Sequence, residues 1–246
     1  MSIKNLTQKS FSVLIIRSLG VLLLFGFTLF ITNFFTAENV GRYDFVRSAV
    51  MVLGGLALMG TNQSIIYYSG LLKARKSTES IRAVYFKMIR IICVLSFIIF
   101  GLYIVFFNEE RVNEIFNNEE SFSLLLKSIF TLGFFALTML NIDTIRALQK
   151  TVLSELYRSL LRYLPVFFLA IVLLNINQQA YLVEAYLIGF VLLSFFSSIR
   201  VHKIFKTLQK PNTKSERFSM SEIFKTSAPM ALSAIAYFIM QSIDII

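Results

Sequence analysis

Seven long apolar runs joined by mostly short polar connectors dominate the pattern of this chain. The first, FSVLIIRSLGVLLLFGFTLFITNFF (11–35), is interrupted by one arginine. As a helix rising about 1.5 Å per residue, it exceeds the roughly 30 Å of a bilayer's hydrocarbon core. It is too long for a signal peptide and carries no small-residue cleavage site. The remaining runs cover about 45–72, 84–107, 122–148, 156–176, 181–199 and 224–246, and each is long enough to cross. Only the connector around 200–223 is long. The pattern predicts an all-α integral membrane protein. A six-helix lobe fills 1–205, a basic connector 206–223, and the first helix of a second lobe 224–246.

Composition agrees. The chain is 56% hydrophobic with a mean hydropathy of +0.70, outside the range of soluble domains. Tryptophan is absent, which leaves tyrosine to anchor the interfaces. A net charge of +10 by itself suggests nucleic acid, but the cations sit at helix ends, which argues against that partner. Of the 24 cations, 20 fall at one set of ends; the other set holds Arg42, Arg47, Arg111 and Lys127. The positive-inside rule then puts the N-terminus in the cytoplasm and the glutamate-rich stretch 108–121 outside. Seven spans end outside, within an apolar run, so the sequence reads as the N-terminal part of a longer transporter whose C-terminal half is missing. Many transporters pair two such repeats with the substrate between them.

Catalytic groupings are scarce. His202 and Cys93 are the single histidine and cysteine, which leaves no second ligand or nucleophile–base pair. His202 reads as a solvated residue, Cys93 as packing, and Glu109, Glu110, Glu114, Glu119 and Glu120 as a hydrated loop. No Gly-x-x-x-x-Gly-Lys-Ser/Thr phosphate loop is present. No cofactor and no enzyme activity are expected.

Intramembrane polar residues are more informative. Arg17 lies about 9 Å along its helix, where a charge must snorkel or face a watery cavity; the cavity is expected. At a similar level lie Asn141, Asp143 and Arg146 of LNIDTIRAL, the last two spaced to pair. Asn62 and Gln63 occupy the inner half of the second span. Arg47 and Lys127 sit one to two turns inside the opposite ends. Lys87, Arg90, Arg158 and Arg162 read as snorkelling, and Pro165 as a kink. Together the cationic groups would guide an anion through a polar hollow. Gly20, Gly26, Gly54, Gly55 and Gly60 let helices approach and slide.

Several stretches carry a family likeness: RSLGVLLLFGFTLF, the turn ENVGRYDF with Gly41 and Tyr43, LALMGTNQSIIYYSG, NIDTIRALQKTVLSELYRSLLRYLP, and SAPMALSAIAYFIMQSIDII with its Asp244. In order and spacing they resemble the Wzx-type polysaccharide (O-antigen) flippases of the MOP superfamily, relatives of MATE exporters and MurJ-type lipid flippases. The resemblance implies a MATE/MurJ-like fold in a bacterial inner membrane. It also implies outward flipping of an undecaprenyl-pyrophosphate-linked oligosaccharide by alternating access, with a proton or sodium ion as a possible coupling ion. Arg17, and less closely Arg47 and Lys127, would meet the pyrophosphate. Three other readings stand beside it. A MATE-like drug/cation antiporter would need buried carboxylates; Asp143, Glu184 and Asp244 are the candidates. A membrane glycosyltransferase or polymerase would need outer acidic residues such as Glu38 and Asp44 and a larger external domain. A purely structural membrane subunit is the last.

Overall fold

The computed structural model describes residues 3–208 and 218–242. Among the described residues there is no strand. The helices are α1 (Ile3–Phe34), α2 (Ala37–Leu58), α3 (Thr61–Ala74), α4 (Ile81–Phe106), α5 (Glu109–Phe116) and α6 (Ser121–Ala147). They continue with α7 (Thr151–Glu155), which runs into a π-helical turn (Leu156–Leu161), then α8 (Leu164–Asn175), α9 (Leu182–Thr207) and α10 (Met220–Ser242). Thr7–Phe34, Thr78–Phe106, Ser121–Ala147, Thr151–Asn175 and Gln179–Thr207 are long and apolar enough to cross a membrane, and α2 with α3 makes a sixth, bent span. This is the build of a multi-pass membrane protein.

The centre of the bundle is α6, which packs against α2, α3, α4 and α9. Its interior hydroxyls return to the backbone: Thr138 donates to the Phe134 carbonyl at 2.8 Å and Thr144 to Leu140 at 2.7 Å. That keeps polar side chains satisfied in an apolar interior. Edge-to-face rings run from α1 to α6 through Phe27, Tyr43, Tyr186, Phe190 and Phe135. Each such contact contributes roughly 0.5–1.5 kcal/mol beyond its buried area. By contrast α1 lies at the edge, buried at Gly20, Phe27 and Ile31 and exposed along most of its length.

The structure departs from the sequence pattern in four places. The second span begins at Ala37 rather than 45, because Thr36 caps it by accepting from the Asn39 N–H at 3.3 Å; the polar Glu38 and Asn39 hide that start. The same span is broken by 41° between α2 and α3. Met59 (φ 45°) and Gly60 (φ 71°) are both left-handed there, and the Thr61 hydroxyl satisfies the freed Leu58 carbonyl at 2.7 Å. The stretch 108–121 is not wholly loop: Asn108 caps α5 by accepting from the Arg111 N–H at 3.1 Å, and Val112 is buried beneath it. Cys93 is exposed on the outside of α4, not packed.

The described part of the seventh expected span lies in α10, which starts at Met220. It packs against α2, α3 and α4. Ser64 and Ser227 share a hydrogen bond of 2.6 Å, and Tyr68 donates to the Thr226 hydroxyl at 3.0 Å. Asp244 lies outside the described residues.

Candidate functional site

The fifth span carries most of the site. In SELYRSLLRY, residues 155, 158, 159, 162 and 163 recur at the i, i+3, i+4, i+7, i+8 spacing that puts side chains on one helical face. Pro165 has no N–H and crowds the carbonyl one turn back, so the regular helix stops before it and restarts at Leu164. The widened turn Leu156–Leu161 precedes that restart, a deformation often found at functional sites. Opposite it, α1 comes close enough that a side chain at Gly20 would meet the Ser159 carbonyl oxygen at 2.6 Å. Here the glycine is a condition of the packing.

These elements, with α3 and α6, enclose a cavity of about 590 Å³. Four arginines line it, Arg17, Arg146, Arg158 and Arg162, against two carboxylates, Asp143 and Glu155. Arg17 does not reach past the helix end. Its Nε and one terminal nitrogen hold the two Glu155 carboxylate oxygens at 3.1 and 3.2 Å, a two-pronged pair. The Ser159 hydroxyl donates to the same carboxylate at 2.7 Å. The Glu155 side chain is only 11% exposed, whereas that of Arg17 is 64% exposed and keeps one terminal nitrogen outside the pair.

Asp143 is 7% exposed. Its partner is Arg158 rather than Arg146, and the Asn62 amide donates to its other oxygen at 3.3 Å. The expected Asp143–Arg146 pair fails because the fifth span brings Arg158 across to the carboxylate, leaving Arg146 on the cavity wall without that bond. Arg158 and Arg162 do not snorkel. Arg162 stands beside the faces of Tyr163, Phe135 and Phe190, with its guanidinium carbon 5.5–5.9 Å from the ring centres. An aromatic surround of this kind holds a cation without neutralising it. The Tyr186 hydroxyl faces Arg162 without closing a hydrogen bond of good geometry.

Of the residues singled out from sequence, Arg17, Asn62, Gln63, Asp143 and Arg146 line this cavity. The other three do not. Asn141 is fully buried on another face of α6, accepting from the Tyr85 hydroxyl at 2.5 Å and donating to Ser197 and Ser198 at 2.9 Å each. Arg47 pairs with Asp44 at 3.2 Å, and Lys127 with Glu184 at 2.6 Å. Lys87, expected to snorkel, donates to the Phe218 carbonyl. Glu155, Ser159 and Tyr163 were not anticipated. The polar stripe on the fifth span is the signal that finds them.

The wall carries an excess of positive charge in a partly enclosed volume. Guanidinium groups there match the planar, two-oxygen geometry of phosphate or carboxylate. Among the described residues no group of three or more histidine, cysteine, aspartate or glutamate side chains could hold a metal ion. Comparison with protein-family models, with curated proteins and with solved structures finds no match to this chain.

Proposed function

We propose that the chain forms part of a flippase that carries a lipid-linked oligosaccharide, of the undecaprenyl-pyrophosphate class, across a bacterial inner membrane. One observation carries the reading: the cavity of about 590 Å³ lined by Arg17, Arg146, Arg158 and Arg162 against two carboxylates, between membrane-length helices. Sugar hydroxyls and phosphates cannot enter hydrocarbon alone, since each unsatisfied polar group costs several kcal/mol. A wet, cationic hollow open between helices removes that cost while the prenyl tail stays in lipid. With the N-terminus cytoplasmic, an inside-negative potential drives an anion outward by about 2.3 kcal/mol per charge per 100 mV. Oligosaccharide, phosphate and MATE/MurJ-like architecture all belong to this proposal.

The test is outward movement of the lipid-linked precursor in cells that depend on the native gene, comparing Arg17→Ala and Arg162→Ala with the parent at equal membrane abundance. Loss in both variants supports the reading. Undiminished movement in both removes the cavity from the mechanism. A MATE-like cation antiporter is favoured by one specific observation, the two poorly exposed carboxylates Asp143 and Glu155 in the same wall. Gradient-coupled efflux of an organic cation, lost in Asp143→Asn, would decide for it.

A further inference from the structure

Two arginines reach the middle of the bundle from opposite ends. Arg47 is ten residues past Ala37, where α2 starts, and Arg162 is eleven past Thr151, where the fifth span starts. At about 1.5 Å per residue both lie roughly 15 Å deep, close to the midplane of a hydrocarbon core of about 30 Å. Arg162 and Tyr163 line the arginine cavity; Arg47 does not. The Arg47 side chain is 26% exposed and that of its partner Asp44 34%, so this pair is reached from another side. A charge at such depth is costly unless it serves a watery path.

Between the two arginines stands one layer of rings. Tyr43 of α2 meets Tyr186 of α9 edge-to-face at 5.3 Å, and Tyr186 meets Phe190 at 5.1 Å. The Arg47 guanidinium carbon is 5.9 Å from the Tyr43 ring centre, and that of Arg162 is 5.8 Å from the Phe190 ring centre. Tyr43 is 2% exposed and Tyr186 4%, yet neither hydroxyl has a hydrogen-bond partner, nor does the Arg47 Nε. These are three of the six buried side-chain polar atoms left unpaired among the described residues, gathered at one spot. The Tyr186 hydroxyl is within electrostatic reach of both guanidinium groups, and the Tyr43 hydroxyl within reach of Arg47. Unpaired buried groups raise the free energy of the packed arrangement, and water reaching them would lower it. The layer is shut under a penalty that opening relieves.

We propose that Tyr43 and Tyr186 form a gate across the anion's path, closed here, which parts to pass a phosphate-bearing group from Arg162 to Arg47. In the closed form the two rings bar the way. On parting, both hydroxyls and the Arg47 Nε turn to water or to phosphate oxygens, since all three can donate. The widened turn Leu156–Leu161 ends directly before Arg162, which gives the fifth span a place to yield as the rings separate. What crosses the gate rests on the flippase reading. That the rings divide two polar compartments does not, and the test uses no lipid-linked substrate, so the two fail separately.

The experiment places single cysteines in the full chain, in a Cys93→Ser background, and follows their modification by an anionic methanethiosulfonate in membrane vesicles of both orientations. Gln63→Cys, exposed on the cavity wall, defines the cavity side as the side from which it reacts fast. From that side Asp44→Cys should react about tenfold more slowly, or slower still, because the gate must open first. Adding Tyr43→Ala with Tyr186→Ala should bring the two rates together. Adding Tyr43→Phe with Tyr186→Phe instead keeps the rings and removes the unpaired hydroxyls. The closed form then gains, and the Asp44→Cys rate should fall about tenfold further. The phenylalanine pair decides alone should the alanine pair fail to fold. Equal rates at the two positions with both tyrosines intact, no acceleration in a folded alanine pair, or no slowing in the phenylalanine pair overturns the gate.

Discussion

Two polar regions of α6 lie within a few residues of each other and behave oppositely. Around Asn141, itself at zero exposure, every polar atom is spoken for: Tyr85, Ser197 and Ser198 complete its set of hydrogen bonds. Around Asp143, half a turn on, the groups surround an open volume and the arginines outnumber the carboxylates. The first arrangement ties α4, α6 and α9 together. The second leaves charge in search of a counterion. Intramembrane polarity is therefore no sign of function until satisfaction and open space are both known.

The largest expected effect comes from breaking the pair between the regions' shared helix and the fifth span. Arg158→Ala leaves Asp143 buried without its partner, and chemical unfolding in detergent should show a loss of about 3 kcal/mol. Asp143→Asn combined with Arg158→Gln should recover most of it, while precursor movement stays about tenfold down because one of the four guanidinium groups on the cavity wall is missing, the net charge there being unchanged. Full activity in that double variant would break the contrast. Next, Asn141→Leu removes three interhelical hydrogen bonds and should cost about 2 kcal/mol, at about 0.6 kcal/mol for each such bond within a membrane. Transport per folded molecule should not change; if it does, the closed network belongs to the mechanism.

Gly20→Ala should cost about 1–3 kcal/mol, since the added methyl meets backbone rather than a movable side-chain tip. The same change should loosen Arg17 from Glu155, read as altered accessibility of a label at position 17. The smallest effect is at the opposite end. Lys127→Gln breaks a half-exposed pair with Glu184 and should shift stability by less than about 1 kcal/mol, with precursor movement intact. A transport defect there would extend the cationic route beyond the cavity.

The spans and the clustering of cations at one set of ends were legible because length and apolarity are carried by composition alone. Arg17 was legible too, since a charge that far inside an apolar run has few places to go. Partner choice was not. Asp143 and Arg146 share a helical face, yet Arg158 arrives from another span, and i, i+3 spacing says nothing about that. Arg158 and Arg162, four apart near a helix end, read as snorkelling; taken with Glu155, Ser159 and Tyr163 they form a stripe too polar to face lipid. Asn141 misled for the opposite reason, because closure depends on Tyr85, Ser197 and Ser198, distant in sequence. The break at Met59 and Gly60 hid inside a continuous apolar run, although Gly-Thr-Asn is the punctuation of one helix ending and another starting.

That break has a mechanical corollary. Nothing larger than hydrogen fits at Gly60 because α10 lies across it, with the Ser227 carbonyl 2.3 Å from where a methyl would stand. α10 thus splints a fractured rod, gripping the piece on either side and the serine pair at the joint. α3 thereby bonds α10 through Ser64 and Asp143 on the cavity wall through Asn62, so one short helix stands between the splint and the site.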